Sequence, residues 1–218
     1  MPKAREASPP AAPRRPRVAA AERERMILEA AIPFFAEQGF SGQTRLLAQS
    51  LGISHSVLYR HFPTKEDLIA AVCAEMFARR WDPAWEDGLR DTALPLEQRL
   101  LRFYREAGAL LLSPEWMRIA LAVGLEDQAA PSGLAALLRG RIVAPLAEAL
   151  RADAAAGGAP LPEAAALEAA WALHGRVFYL GARLAVWRGA TPRQPDAALA
   201  TAIASFCGGA RRMAAASG

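Results

Sequence analysis

Apolar positions along this chain recur at spacings of three and four almost from end to end, and no stretch alternates with the period of two that marks a half-buried strand. The pattern predicts an all-α protein. A first helix over about Glu22 to Gln38 carries apolar pairs at Met26 and Ile27, Ala30 and Ala31, and Phe34 and Phe35. Pro33 interrupts it off the apolar stripe, where a lost backbone bond costs about 3 kcal/mol and a mild bend toward solvent is expected, and Gly39 closes it. Two short helices follow, then one from Thr64 to about Trp81, where Asp82 and Pro83 stop it. Further helices are predicted over about Pro95 to Leu112, Pro114 to Glu126, Gly133 to Ala154 with a kink at Pro145, Glu163 to Gly189, and Pro195 to Ala214. The linker AAAGGAPLP separates the last two from the rest. Residues 1 to 20 hold five prolines and the cluster Arg14, Arg15 and Arg17 with almost nothing to bury, which reads as disorder.

The stretch from Gln43 to Leu68, QTRLLAQSLGISHSVLYRHFPTKEDL, organises the N-terminal part. Leu47 and Leu51 with Ala48 give one apolar face, and Gly52 can take the left-handed conformation that ends a helix. Ser54 is placed to cap the next helix, on which Leu58 and Phe62 form the buried stripe. At about 100° per residue that stripe turns Ser56, Val57 and Arg60 to the opposite side, with His55 opening the helix and Tyr59 and His61 flanking it. An exposed face that mixes arginine, small residues and an aromatic differs from the Glu and Lys of a merely solvated one, and the unit reads as a helix-turn-helix. Thr64 caps the following helix with Asp67 three residues on, so Lys65 sits at a positive helix end that favours a phosphate.

These residues carry a resemblance. The first helix ERMILEAAIPFFAEQGF, the turn LGIS and above all LYRHFPTKEDL resemble the TetR family of bacterial repressors, over roughly residues 22 to 72, and nearest to its tetracycline-repressor-like branch. Behind the basic Pro-rich arm that composition gives at 1–21, the resemblance implies a DNA-binding domain at 22–67 and a ligand-binding and dimerisation domain at 68–218. It also implies that Arg45, His55, Ser56, Val57 and Arg60 fall where bases are read. Thr44, Tyr59, Lys65 and, by position only, His61 fall where phosphates are gripped. His55, Ser56 and Arg60 differ in type from the tetracycline repressor, so its operator does not transfer.

Composition sharpens this picture in one respect. The formal charge is +4, and residues 1 to 67 hold ten Lys and Arg against seven Asp and Glu, so +3 of it lies in the N-terminal third. A positive lobe on a near-neutral body suits a polyanion-binding head. Cys73 and Cys207 are the only cysteines, far apart in apolar surroundings, which offers no disulfide framework or metal pair; two inert core residues or a redox-sensing pair both fit. No run approaches ~18 uncharged apolar residues, and the N-terminus lacks the apolar core of a signal peptide, so a cytoplasmic protein without a membrane partner is expected.

The helix EAAALEAAWALHGRVFYLGARLAVWRG is apolar over more than one face. Leu167, Trp171, His174, Phe178 and Gly181 line one side; Ala170, Leu173, Val177, Leu180, Leu184 and Trp187 line another. On the last helix Ala198, Thr201 and Ser205 lie apart from Leu199, Ile203 and Phe206. Such helices can bury one face in their own domain and one in a second copy as a four-helix bundle across a two-fold axis. The first side of each is expected at that homodimer interface, the alternative being a monomer that buries both. Within the family a small-molecule pocket lies behind the DNA reader, which makes Trp81, Trp85, Phe103, Tyr104, Trp116, Met117 and Phe178 candidates to line it; the same residues also suit a plain core. No Gly-rich phosphate loop, no nucleophile elbow and no histidines at metal spacing are present, so no catalytic or metal site and no cofactor is expected. Glu126 and Asp127 are helix neighbours that point apart. The reading is a repressor released from a palindromic double-stranded operator by a small apolar or amphipathic effector. A constitutive DNA-binding protein and an all-α enzyme or carrier remain as alternatives.

Overall fold

The computed structural model describes residues 20–125, 133–187 and 191–216, with side chains through residue 209. Every regular element among them is helical. In order these are α1 (Ala20–Gln38), α2 (Thr44–Ser50), α3 (His55–His61), α4 (Lys65–Ala74), α5 (Ala84–Arg90), α6 (Leu96–Leu111), α7 (Pro114–Leu125), α8 (Leu134–Ala136), α9 (Ala144–Ala156), α10 (Glu163–Ala185) and α11 (Pro195–Ala216). The arm expected over residues 1–21 lies outside the described residues but for Ala20 and Ala21, which start α1. Glu126 and Asp127 also lie outside them.

The head is α1 to α3 laid on the start of α4. Ile27, Ala31, Ile32 and Phe35 of α1 are buried with Leu47 and Ala48 of α2, Leu58 of α3 and Leu68 of α4. Met26, expected inside, is one of the exposed large apolar residues. Pro33 is exposed, and Gly39 at φ +67° closes α1 with its N–H on the Phe35 carbonyl, as its position predicted.

Two wide turns depart from the predicted helices. After Ala74 the connector does not run on as an α-helix; Glu75–Arg79 is one π-helical turn that ends at Arg80. A second, Leu137–Val143, stands where a kink at Pro145 was expected. Proline has no N–H for the carbonyl four residues back and its ring crowds that carbonyl, and a wide turn just upstream accommodates both. The shorter α5 was missed altogether. Its residues, AWEDGLR, follow Pro83 with Glu86 and Asp87 in the first turn, the acidic start that a helix N-terminus favours. α10 ends at Ala185, four residues short of the predicted Gly189.

Buried polar groups tie the body together. Trp81 Nε1 donates to Glu86 Oε1 at 2.9 Å, and Arg141 donates to the same oxygen at 3.0 Å. One buried carboxylate therefore joins the end of the connector to the second π-helical turn. Arg99 of α6 is buried too, donating to the Leu89 carbonyl at 2.9 Å and reaching Asp153 of α9 at 3.4 Å. At the surface Arg105 makes a two-pronged pair with Asp196, 2.8 Å on each prong, which holds the start of α11 against α6. That pairing pushes the Asp196 carboxyl below its ordinary range.

Candidate nucleic-acid interface

Local chemistry builds the head residue by residue. Gly52, at φ +63°, ends the α2 turn, and the Ile53 N–H returns to the Ala48 carbonyl at 3.1 Å. Such a reversal suits glycine because a side chain there would strain the backbone. Ser54 then caps α3, accepting the Val57 N–H at 3.3 Å, while its hydroxyl also meets Ser56 at 2.9 Å. Thr64 and Asp67 form a complete capping box at the start of α4: the Asp67 N–H reaches Thr64 Oγ1 and the Thr64 N–H reaches Asp67 Oδ2, both at 3.0 Å.

With Leu58 and Phe62 fixed inward, α3 turns His55, Ser56 and Arg60 to solvent, with Val57, Tyr59 and His61 half-buried. Arg45, at the first turn of α2, is exposed, and Lys65 opens α4 half-buried. Thr44 departs from the expectation of a residue that grips a phosphate directly. It is only 6% exposed. Its hydroxyl meets His55 Nε2 at 3.1 Å and Tyr59 OH at 3.0 Å. His55 and Tyr59 also pack edge to face, with ring centroids 4.6 Å apart. The two helices of the motif are thus joined by a polar knot at their outer edge as well as by Leu47 and Leu58 inside. His55 and Tyr59 stand four apart on one helix face, but no periodicity links Thr44 to them, so its place in the knot had no signal in the sequence.

Behind the head, the aromatics expected to line a pocket are packed on one another. Ring centroids run Trp85 to Trp81 at 5.0 Å, Trp81 to Phe103 at 6.2 Å, Phe103 to Tyr104 at 5.0 Å, Tyr104 to His174 at 6.2 Å and His174 to Phe178 at 6.5 Å. Trp116 packs on Phe77 of the connector at 5.8 Å, and Met117 is fully buried beside it in sequence. Two surface clefts, one lined by Pro95, Arg99 and Asp153 and one by Gln98, Arg102 and Glu106, touch none of these aromatics.

The proposed interface side of α10 also needs correction. His174 is 4% exposed; its Nδ1 lies 3.3 Å from the Tyr104 hydroxyl, and burial lowers its pKa to about 4. Burial likewise raises Tyr104 far above the ordinary phenol range. Gly181 is buried against Leu112 and Met117, where an added Cβ would collide with the Met117 methyl. Both are packed inside this chain. The outward face of α10 instead carries Trp171, 40% exposed, and Tyr179, 56% exposed, flanked by half-buried Leu167 and Phe178. On α11, Thr201 and Ser205 are exposed and Ala198 half-buried, while Leu199, Ile203 and Cys207 point inward.

The described residues form an all-helical fold with a helix-turn-helix head whose α3 presents an exposed face. Residues 27–72 match the family described as bacterial regulatory proteins, tetR family. A stretch of 68 residues is 40% identical to the HTH-type transcriptional repressor AcnR of Corynebacterium diphtheriae, covering 31% of this chain and 36% of that repressor. The chain therefore spans about a third of the length of the curated relative it matches. The whole fold is shared more widely. A protein of Pseudomonas aeruginosa described as a transcriptional regulator superposes with a TM-score of 0.65 at 24% identity, covering 90% of this chain and 96% of that one. A protein of Mesorhizobium loti described as a tetR-family regulator gives 0.62 at 20% identity, over 88% and 98%.

Proposed function

We propose that this chain is a sequence-specific DNA-binding repressor that works as a homodimer in the cytoplasm and leaves a palindromic operator when a small molecule binds its body. The observation that carries DNA binding is the α3 face: Arg60, His55 and Ser56 stand outward on a helix capped at its N-terminus by Ser54, with Arg45 exposed on α2 and Lys65 at the capped start of α4. Arginine pairs bidentately with guanine in the major groove, each such contact discriminating by about 1–3 kcal/mol. Lys65 adds an ammonium to a helix N-terminus, the combination that holds a phosphate. Retardation of double-stranded DNA from the neighbourhood of its own coding region by the purified chain, weakening steeply with salt, is the test. An all-α enzyme or carrier would show no such retardation at any salt.

Release by an effector is supported by two buried nitrogens of the aromatic body, Trp116 Nε1 and His174 Nε2, that find no hydrogen-bond partner among the described residues. An unpaired buried polar group costs about 1–3 kcal/mol, and an amphipathic ligand with one or two polar atoms would satisfy them. The connector carries the consequence, since α4 begins at Lys65 and the π-helical turn Glu75–Arg79 that follows it leads to Trp81 in the aromatic cluster. The close contact of those same aromatics favours the second reading, a constitutive repressor. Titration of a ligand with and without operator separates the two: coupling is reciprocal and typically 5- to 150-fold, whereas equal ligand affinity in both titrations leaves the constitutive repressor.

A further inference from the structure

The chain His55, Thr44, Tyr59 has a property that its separate members lack. A hydroxyl has one proton to donate, and a neutral imidazole carries one N–H and one bare nitrogen. Among the described residues Thr44 Oγ1 meets only His55 Nε2 and Tyr59 OH, and Thr44 is buried. If both neighbours donated to it, its own proton would be left unsatisfied inside the protein. Two directions remain. In one, Tyr59 donates to Thr44 and Thr44 donates to Nε2, so the imidazole proton is on Nδ1 and the Tyr59 proton is engaged. In the other, Nε2–H donates to Thr44 and Thr44 donates to the Tyr59 oxygen; the Tyr59 proton is then free to point outward and Nδ1 is a bare acceptor.

Building on the DNA-binding role proposed above, with Tyr59 at a phosphate and His55 at a base, we infer that Thr44 is a positioning residue that makes the phosphate contact decide which base His55 accepts. A phosphate oxygen only accepts hydrogen bonds, so Tyr59 must donate to it. That selects the second direction along the chain. His55 then offers Nδ1 as an acceptor, which suits the exocyclic amino group of adenine or cytosine in the major groove and rejects the O6 and N7 acceptors of guanine and the O4 acceptor of thymine. Only a register that places a phosphate on Tyr59 sets His55 to read.

Selection of bound sequences from a randomised double-stranded DNA library, with the full chain and its variants, tests this. For the wild type and Thr44→Ser, one position in each half-site should favour adenine or cytosine on one strand by roughly threefold to tenfold, the discrimination one neutral hydrogen bond supplies. Thr44→Val, Tyr59→Phe and His55→Ala should all lose that preference while keeping those at the other positions. Thermal melting of Thr44→Val checks that the head still folds; if it does not, Tyr59→Phe, which keeps the ring contact, decides alone. Survival of the preference in a folded Thr44→Val or in Tyr59→Phe overturns the coupling. So does a uniform flattening of every position, which marks mere damage to the head, and so does guanine or thymine at the His55-dependent position. A wild-type chain that retains no DNA at all refutes the DNA-binding reading itself, and the coupling with it.

Discussion

Arg60 and Lys65 are five residues apart and differ in what each can recognise. Arg60, exposed on α3, presents a planar fork that distinguishes base edges, whereas Lys65, at the first turn of α4, is a point charge at a helix end. Lys65→Ala should therefore weaken binding to all sequences about alike and lower the salt slope by about one, while Arg60→Ala should relax preference at one position by about 1–3 kcal/mol. Binding titrations at several salt concentrations against a set of single-base operator variants measure both; equal losses on every variant for Arg60→Ala would contradict its place on the reading face. His174 sets a pH dependence of a different origin. Its burial lowers the pKa from the ordinary 6.5 to about 4, so between those values the unfolded chain binds a proton that the folded chain does not. Stability is then full above about pH 6.5 and falls as the pH drops toward 4, by roughly 3 kcal/mol at most across the interval. Urea midpoints taken from pH 7.5 to 4.5 should show this decline in the wild type and a flatter curve in His174→Gln. Identical curves would mean that His174 is protonated inside the fold at little cost.

At the scale of elements, the connector has the most consequential geometry. Its α-helical part is capped as a rigid start, but the π-helical turn at Glu75–Arg79 places Trp81 where its ring meets Trp85 and Phe103 and its N–H meets Glu86. Wide turns of this kind concentrate at functional positions in helices. Glu86 also takes Arg141 from the second such turn, so a single carboxylate holds together the two segments that depart from regular helix. Glu86→Ala should leave the Trp81 N–H buried and unpaired and destabilise the chain by about 1–3 kcal/mol. Chemical denaturation reads it, and a loss below a few tenths of that would mean that the Trp81 end of the connector swings out to water instead.

For the molecule as a whole, the outward face of α10 is the feature that one protomer does not explain. Trp171 and Tyr179 stand 40% and 56% exposed on a 23-residue helix whose other side is core, and Trp187, packed on Tyr179 with ring centroids 5.3 Å apart, is 47% exposed. A second copy laid across this face would bury them in an isologous interface and set two α3 helices one DNA turn apart, roughly 34–36 Å, or a multiple of it. Tyr179→Glu is expected to give a folded monomer in sedimentation analysis and to lose operator retention. Dimeric mass with retention intact would place the interface elsewhere. Gly181→Glu is not an equivalent probe, because its side chain would be driven into Met117 and Leu112 of its own protomer.

Short-range order was legible from the sequence alone because the interactions that create it are short-range. Gly52 at positive φ, the Ser54 cap, the Thr64–Asp67 box and the inward Leu58 and Phe62 all follow from residues within four positions of one another, and together they define the head. Periodicity likewise located most of the helices of the body. It could not say which side of α10 its own neighbours would cover. Trp171 and His174 lie only about 60° apart on the helix, so both belong to one apolar stripe in the sequence, yet the edge of the protomer's core falls between them. Where that edge falls depends on how α6 and α7 dock, which depends in turn on α5 and on the wide turns that no local pattern announced. The Thr44 knot has the same origin: Thr44 meets His55 and Tyr59, 11 and 15 positions away, only once α2 and α3 have crossed. The sequence by itself determined most of the helices, the caps of the head and its helix-turn-helix pattern; tertiary packing alone decided which distant polar atoms meet and which aromatic faces remain outside.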